Sequence, residues 1–143
     1  IELTHIPLEQ FPRLTKYARK HGIKIIVAHG ESPVEPVLKG TNKTALNSDI
    51  DILAHPGNLT REEALLAKRK GVLLEITCRR GHKLANRHVA KVAKSVGARL
   101  IFNSDCHKPE GIPSLGTFKK IAREAGLTPL DLAKGLKSGQ PFL

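Results

Sequence analysis

The sequence predicts a single α/β domain built on parallel strands, and two observations lead to this prediction. Short runs rich in Ile, Val and Leu alternate with amphipathic segments along the chain of 143 residues. The apolar runs lack the strict alternation of a half-exposed strand, which is typical of strands buried on both faces. Strand alternating with helix favours parallel pairing through right-handed crossovers, so we expect one domain over residues 1–143.

Five apolar runs are the predicted strands. They cover residues 1–5, 23–30, 49–57, 71–77 and 98–105, and the first reads as the end of a longer strand. In parallel α/β folds the carboxyl ends of the strands lie at one edge of the sheet, and that edge holds the functional site. The residues at these five ends are therefore the first candidates for function.

Five amphipathic segments are the predicted helices, and each carries local signals for where it begins or ends. Thr60 and Glu63 form a capping box, and Gly71 marks the following stop. Asn86 is the expected N-cap of the next helix, and Pro129 suits the first turn of the last one. The predicted helices span residues 8–21, 60–71, 86–97, 114–126 and 128–139.

The composition limits the function classes. The formal net charge of +11 favours anionic partners such as phosphorylated metabolites, nucleic acid or acidic lipid, although a solvated Lys- and Arg-rich surface is the alternative. An aromatic content of 3% disfavours a base-stacking surface. No apolar run is long enough for a membrane span, and two unpaired cysteines favour a reducing cytoplasm without a membrane partner. The segment 39–49 lacks the spacing of a phosphate-binding P-loop.

Histidine and carboxylate side chains recur at the predicted strand ends. His29, His55, Glu75, Asp105 and His107 lie at four of these ends, and the first short run adds Glu2 and His5. One buried histidine is most often a hydrogen-bonded core residue, but a set that recurs on several strands favours metal ligation. Imidazole suits Zn, Mn and Fe, and a cluster without thiolates is typical of a catalytic site.

A basic loop follows the fourth predicted strand. Residues 78–89 include Arg79, Arg80 and His82, and an arginine guanidinium can bind a phosphate with two hydrogen bonds. These residues are the candidate substrate-binding groups, although exposed loop charges are the alternative. Cys78 and Cys106 flank the same edge and are expected to pack rather than to bind metal. The roles of Glu75, His5 and His88 stay open.

Five motifs in order resemble the polymerase and histidinol phosphatase (PHP) domain. The motifs IELTHIP, VAHGE, DILAHPGN, LEITCRRGH and NSDCHKPE are most similar to those of its small, stand-alone, histidinol-phosphatase-like members. The resemblance covers nearly the whole chain. It implies that the chain holds the last five βα units of a distorted seven-stranded (βα) barrel. It also implies a cluster of two or three divalent ions, often Zn, Mn or Fe.

The resemblance also implies roles for individual residues. Glu2, His29, His55, Asp105 and His107 match the metal ligands of the family, and Asp105 and His107 would also serve catalysis. The early HxH motif of the family is missing, so the sequence resembles an N-terminally incomplete domain. A complementing N-terminal segment or a homo-oligomer is therefore an expected partner.

Three functions follow as hypotheses. The first is a metal-dependent phosphoesterase, a phosphoric monoester hydrolase that acts on a phosphorylated small molecule through a metal-activated water. The second is a nucleic-acid-binding or processing subunit on the same scaffold, favoured by the basic charge and disfavoured by the low aromatic content. The third is a metal-binding remnant without catalysis.

Overall fold

Five parallel strands form one sheet in the computed structural model, which describes residues 1–140. Each strand pairs with its predecessor along the chain, so the order across the sheet is the order in the sequence. This result confirms the predicted α/β class with parallel strands. The strands are β1 (Glu2–Leu3), β2 (Val27–His29), β3 (Ile52–Ala54), β4 (Leu73–Thr77) and β5 (Leu100–Asn103).

Within residues 1–140, six α-helices connect and follow the strands. They are α1 (Phe11–Lys20), α2 (Thr41–Asn47), α3 (Arg61–Lys70), α4 (Asn86–Val96), α5 (Leu115–Glu124) and α6 (Pro129–Lys137). Short 3₁₀ turns cover Leu8–Gln10, His82–Ala85 and Pro109–Gly111. The predicted capping box of α3 is present, because Thr60 and Glu63 satisfy each other's backbone N–H groups.

All six helices pack on one face of the sheet. The main hydrophobic cluster joins alternate strand residues, such as Leu53, Leu74 and Phe102, to apolar residues of every helix. The intervening strand residues point to the opposite face, because side chains alternate along a strand. There Ile52, Leu73 and Ile101 form a separate buried cluster that contains no helical residue.

One helix was missed by the sequence analysis, and one predicted cap was wrong. The segment 41–47 is helical although no helix was predicted there. The Glu31 carboxylate stabilises the start of this helix, because its Oε1 accepts the N–H groups of Gly40 at 2.9 Å and Asn42 at 3.1 Å. Asn86 does not cap α4. Its side chain instead pairs with the backbone of Thr77 at the end of β4, through contacts of 3.1 and 2.8 Å.

The strands are shorter than the apolar runs that predict them. In the segment 49–57 only Ile52–Ala54 is extended in the sheet, and Asp51 before it accepts the N–H of Ile26 at 2.7 Å. Arg19 of α1 holds the same carboxylate at 2.8 Å. No helix within the described residues has both the length and the apolar character that a membrane span requires.

Candidate metal centre

Polar side chains from four strands meet at the carboxyl edge of the sheet. His29 is the last residue of β2, His55 follows β3 directly, and Asp105 lies two residues beyond β5. Glu75 lies within β4 on the face opposite to the helices, two residues after Leu73. The sequence predicted this edge as the site, and the parallel pairing brings these groups together there.

Three histidines form the centre of the site, and all three are buried. One ring nitrogen from each of His29, His55 and His82 lies within 4.8 Å of the other two. The ring centroids of His55 and His82 are 4.1 Å apart, and those of His29 and His55 are 5.0 Å apart. We call these three residues the histidine cluster.

Two ring nitrogens of the histidine cluster are buried without a hydrogen-bond partner in the described chain. They are Nε2 of His29 and Nδ1 of His55. Nδ1 of His55 lies 2.8 Å from Oε2 of Glu75, but the two are not aligned as a hydrogen bond. Buried polar atoms are nearly always satisfied in folded proteins, so such atoms call for an explanation. A divalent ion that accepts the lone pairs of these nitrogens provides such an explanation, because neutral imidazole is a common metal ligand.

Neighbouring groups fix how the rings present their nitrogens. Nδ1 of His29 lies 2.9 Å from the carbonyl oxygen of Gly30, which can only accept a hydrogen bond. The proton therefore lies on Nδ1, and Nε2 keeps the lone pair that a metal needs. Nδ1 of His82 lies 2.8 Å from the Ser32 hydroxyl, which leaves its Nε2 directed away from that contact.

Carboxylates hold His55 on two sides. Oε2 of Glu75 also accepts the backbone N–H of His55 at 2.8 Å, and Oδ2 of Asp105 lies 3.3 Å from Nε2 of the ring. Burial alone would lower the pKa of His55, but the nearby charges of Glu75, Asp105 and Glu2 outweigh it and raise this pKa. The site therefore favours positive charge at this position, which a bound cation also supplies.

Backbone strain is concentrated at the same place. His5, His55 and Asp105 are the non-glycine residues with positive φ among residues 1–140, with values of 53°, 46° and 46°. His and Asp tolerate this region better than most residues, but each such position still costs free energy. All three side chains contact the site, so the strain serves to orient site residues.

Glu35 is a site residue that the sequence did not reveal. Its carboxylate lies 3.5 Å from Nε2 of His5 and 3.6 Å from Nε2 of both His29 and His82. Burial would raise the pKa of Glu35, but His29 and His82 outweigh it, and this pKa is lowered. Glu35 lies in an irregular loop six residues after β2, where no strand end or motif marks it.

Asp105 and Arg79 form the wall of the site beside His55. Nη1 of Arg79 donates to the carboxylate of Asp105, to its carbonyl oxygen at 3.1 Å, and to Nδ1 of His107 at 2.9 Å. Arginine can only donate, so Nδ1 of His107 is an acceptor and its proton lies on Nε2. His107 itself has a side chain 71% exposed and stands outside the histidine cluster.

The remaining predicted residues are placed as follows. His82, expected to bind substrate from a basic loop, is buried within the histidine cluster instead. Arg80 is exposed and makes no contact with the cluster in the described chain. Glu2 lies on the edge strand, where burial and the charge of Asp105 raise the pKa of its carboxyl. Cys78 packs against the core, and burial raises the pKa of its thiol to about 11, which makes it a poor ligand at neutral pH.

Two further histidines lie away from the site. His88 is an exposed residue of α4 whose Nε2 contacts the carbonyl oxygen of Leu59 at 2.8 Å. His21 lies at the end of α1, where its Nδ1 contacts the carbonyl oxygen of Tyr17 at 2.8 Å. These two residues are therefore suitable controls for substitutions in the histidine cluster.

Comparison with known proteins identifies one clear relative and a set of structural neighbours. No family model matches the chain. An uncharacterized protein of Methanocaldococcus jannaschii is 42% identical over 137 residues, which cover 95% of this chain and 63% of that protein. The chain thus spans less than two thirds of the relative's length.

Solved structures share the fold at low sequence identity. A chain in the cryo-EM structure of archaeal ribonuclease P with mature tRNA superposes with a TM-score of 0.77 at 18% identity, over 98% of this chain and 64% of that one. An amidohydrolase and the ochratoxinase of A. niger each give a TM-score of 0.73, at 13% and 15% identity. The match to the amidohydrolase covers 99% of this chain and 41% of that protein. The match to the ochratoxinase covers 96% of this chain and 38% of that protein. At such identities the likeness establishes the fold alone.

Proposed function

We propose that this chain forms the metal-binding part of a PHP-like phosphoesterase that hydrolyses phosphate monoesters. The observation that carries the proposal is the histidine cluster, in which two buried ring nitrogens have no hydrogen-bond partner among residues 1–140. We also propose that the sheet is an arc of a distorted seven-stranded (βα) barrel. Sequential strand order and helices on one face support that architecture, because a doubly wound sheet carries helices on both faces.

The donor set fits one or more divalent ions. His29, His55 and His82 would hold the first, with Glu35 and Asp105 as adjacent oxygen donors. Glu2 is the further candidate ligand, and the mixed nitrogen and oxygen set suits Zn, Mn or Fe. When bound, such ions supply a water of lowered pKa and polarise a phosphoryl oxygen.

The protein's own residues would position the substrate. Arg79 uses Nη1 to hold Asp105 and His107, while its Nε and Nη2 have no partner within residues 1–140. These free N–H groups can donate to a phosphate oxygen. Asp105, held at positive φ between His55 and Arg79, orients a water by accepting its hydrogen bond. His107 stands exposed at the mouth of the site, where its Nε2–H can donate a hydrogen bond to an oxygen of the ester.

The test combines metal content with turnover. The protein is purified without added chelator, its Zn, Mn and Fe content is measured by elemental mass spectrometry, and hydrolysis of p-nitrophenyl phosphate is assayed. Asp105→Asn is expected to abolish turnover while the circular dichroism spectrum is retained. His88→Asn is the matched control, because His88 lies on α4 outside the cluster.

Other outcomes would contradict the proposal. Unchanged turnover in Asp105→Asn would remove Asp105 from the mechanism. Retained metal without turnover on any phosphate ester would favour a non-catalytic metal-binding role. Hydrolysis of an N-acyl amino acid but not of phosphate esters would move the activity towards the amidohydrolase neighbours.

Nucleic-acid binding is the second candidate function. The formal net charge of +11 favours it, and one structural neighbour is a chain of a ribonuclease P complex with tRNA. Retarded migration of labelled RNA or DNA that weakens steeply with salt would support it. Absence of binding at physiological ionic strength would exclude it.

A further inference from the structure

A groove on the outer face of the helix layer is lined by cations. It has a volume of about 360 Å³ and lies between α4 and the end of α5. We call it the α4 groove. Its lining residues are Arg87, Ala90, Lys91, Lys94, Ala125 and Gly126.

The cations of the α4 groove form a straight row. Arg87, Lys91 and Lys94 have the spacing i, i+4 and i+7, which places them on one side of the helix. At 1.5 Å per residue the row spans about 10 Å, which is long enough to contact more than one backbone phosphate of a strand.

Most of this charge is free of carboxylates. Arg87 and Lys91 are exposed and have no salt-bridge partner within residues 1–140. Lys94 is paired with Asp131 at 2.7 Å. Beyond the two ends of the groove, Lys83 is paired with Glu124 at 3.5 Å, whereas Lys134 has no salt-bridge partner in the described chain. The row therefore keeps an excess of positive charge.

The other lining residues are small. Ala90, Ala125 and Gly126 leave room for a backbone to approach the cations, and no aromatic side chain of residues 1–140 lines the groove. Contacts there would go to phosphates and not to stacked bases, so binding would not depend on sequence. A narrow linear row without large apolar side chains also fits a chain-like polyanion better than a lipid surface.

The α4 groove begins beside the candidate metal centre. Asn86, at the start of α4, is tied to the end of β4 at Thr77, and Lys83 directly follows the cluster residue His82. The helix then runs antiparallel to the strands towards the opposite edge. A strand held along α4 therefore passes close to the rim of the site.

We propose that the α4 groove binds the sugar–phosphate backbone of a polynucleotide strand, independently of its sequence. This inference extends the second candidate function and does not rest on the metal centre. The occupant is a nucleic acid, and an acidic polypeptide or an anionic membrane is an outcome that the test would reveal.

The experiment compares two double variants of the full chain. Binding of a fluorescein-labelled single-stranded RNA of mixed sequence is followed by anisotropy across a salt series. Arg87→Gln with Lys91→Gln is expected to weaken binding. It is also expected to reduce the slope of log K against log salt by about 1.4, since each phosphate contact on a single strand contributes about 0.7. Lys16→Gln with Lys20→Gln is the matched control, because it removes two exposed charges at the same i, i+4 spacing on α1.

The outcomes separate the possibilities. An unchanged slope for the control pair, together with the expected change for the groove pair, supports the proposal. Equal losses of affinity in the two double variants would show diffuse attraction to the net charge and would overturn the proposal. Absence of binding by the parent chain at about 0.1 M salt would also overturn it. Competition by poly-glutamate or anionic vesicles equal to that of unlabelled RNA would overturn it in favour of another polyanion. Ester hydrolysis should be unaffected in the groove variant, so failure here and failure of the phosphoesterase proposal are distinguishable.

Discussion

The two halves of the inner sheet face, which is the face without helices, differ in chemistry although they lie on the same strands. Near the amino ends of the strands, Ile52, Leu73 and Ile101 form an apolar cluster. Near the carboxyl ends, Glu75 and the histidine cluster occupy the same face. Both halves are buried, so burial by itself does not separate structural residues from functional ones.

Strand β4 shows the difference within two residues. Leu73 and Glu75 point to the same face and are each 2% exposed. Burial of a leucine side chain stabilises the fold by about 1.5–3 kcal/mol. Burial of a carboxylate is unfavourable unless it is paired, and here His55 supplies the pairing. The unfavourable part of the polar half is instead the two ring nitrogens that lack a hydrogen-bond partner among residues 1–140, and such a local cost in stability is typical of a functional site.

The largest expected effect comes from His29→Ala in the polar half. We expect loss of bound metal and of ester hydrolysis to background, because the lone pair of Nε2 is removed. The midpoint of thermal unfolding without metal should fall less than in Leu73→Ala, because loss of an unsatisfied buried nitrogen partly offsets the cavity that the alanine leaves. Elemental mass spectrometry and a melting curve check this result. His21→Ala, at the exposed end of α1, should leave metal content unchanged; metal retained in His29→Ala would contradict the assignment.

Leu73→Ala is the corresponding change in the apolar half. It should lower the free energy of unfolding by about 2–5 kcal/mol, because a buried side chain is replaced by a cavity. The metal-to-protein ratio of the folded fraction should not change. Urea unfolding followed by circular dichroism measures the loss. A loss below about 1 kcal/mol would show that the inner apolar cluster is not tightly packed.

Glu75→Gln should act on metal affinity more than on stability. The amide keeps the size of the side chain but no longer provides the negative charge beside His55, and residues that support a ligand typically contribute about 10–100-fold to metal affinity. Competition with a fluorescent zinc chelator measures the change. Glu124→Gln, on the exposed face of α5, is the control; equal affinities in the two variants would remove Glu75 from the site.

Ser32→Ala should have the smallest effect. It removes the hydroxyl that lies 2.8 Å from Nδ1 of His82, so the ring loses one orienting contact. We expect a loss of stability of about 1 kcal/mol and a decrease in metal affinity smaller than that of Glu75→Gln. Ser32→Thr keeps the hydroxyl and should restore the affinity. A larger loss of metal affinity in Ser32→Ala than in Glu75→Gln would show that Ser32 supports metal binding more than Glu75 does, contrary to this prediction.

Most of the secondary structure could be predicted because its signals are local. The five strands follow from runs of β-branched and aliphatic residues, and α3 and α6 follow from caps visible within four residues. Helix α2 could not be predicted in this way. Its first turn is held by Glu31, and Asn42 is fixed by a hydrogen bond to the carbonyl oxygen of Pro56 at 2.8 Å, both of which depend on tertiary contacts.

The edge that holds the candidate site was predicted from the sequence, but only part of its residues was. Parallel pairing guaranteed that His29, His55 and Asp105 would meet, because they end neighbouring or nearby strands. Glu35 and His82 arrive from loops, whose paths depend on packing and not on periodicity. His82 was expected to bind substrate, because it lies close to two arginines in a segment whose sequence is typical of a basic loop.

The sequence by itself determined the parallel α/β class and the edge of the sheet that carries the candidate site residues. Both follow from the alternation of strands and helices and from the residues at the strand ends, which are properties of neighbouring residues. Tertiary structure alone decided that His82 and Glu35 join His29 and His55, and that Arg79 is tied to Asp105 and His107. Those contacts join residues far apart in the chain, where only the folded geometry sets the distance. The same reason explains why Nε2 of His29 and Nδ1 of His55 have no hydrogen-bond partner in the described part of the chain: the fold brings these atoms to one point, and local sequence cannot show what they face.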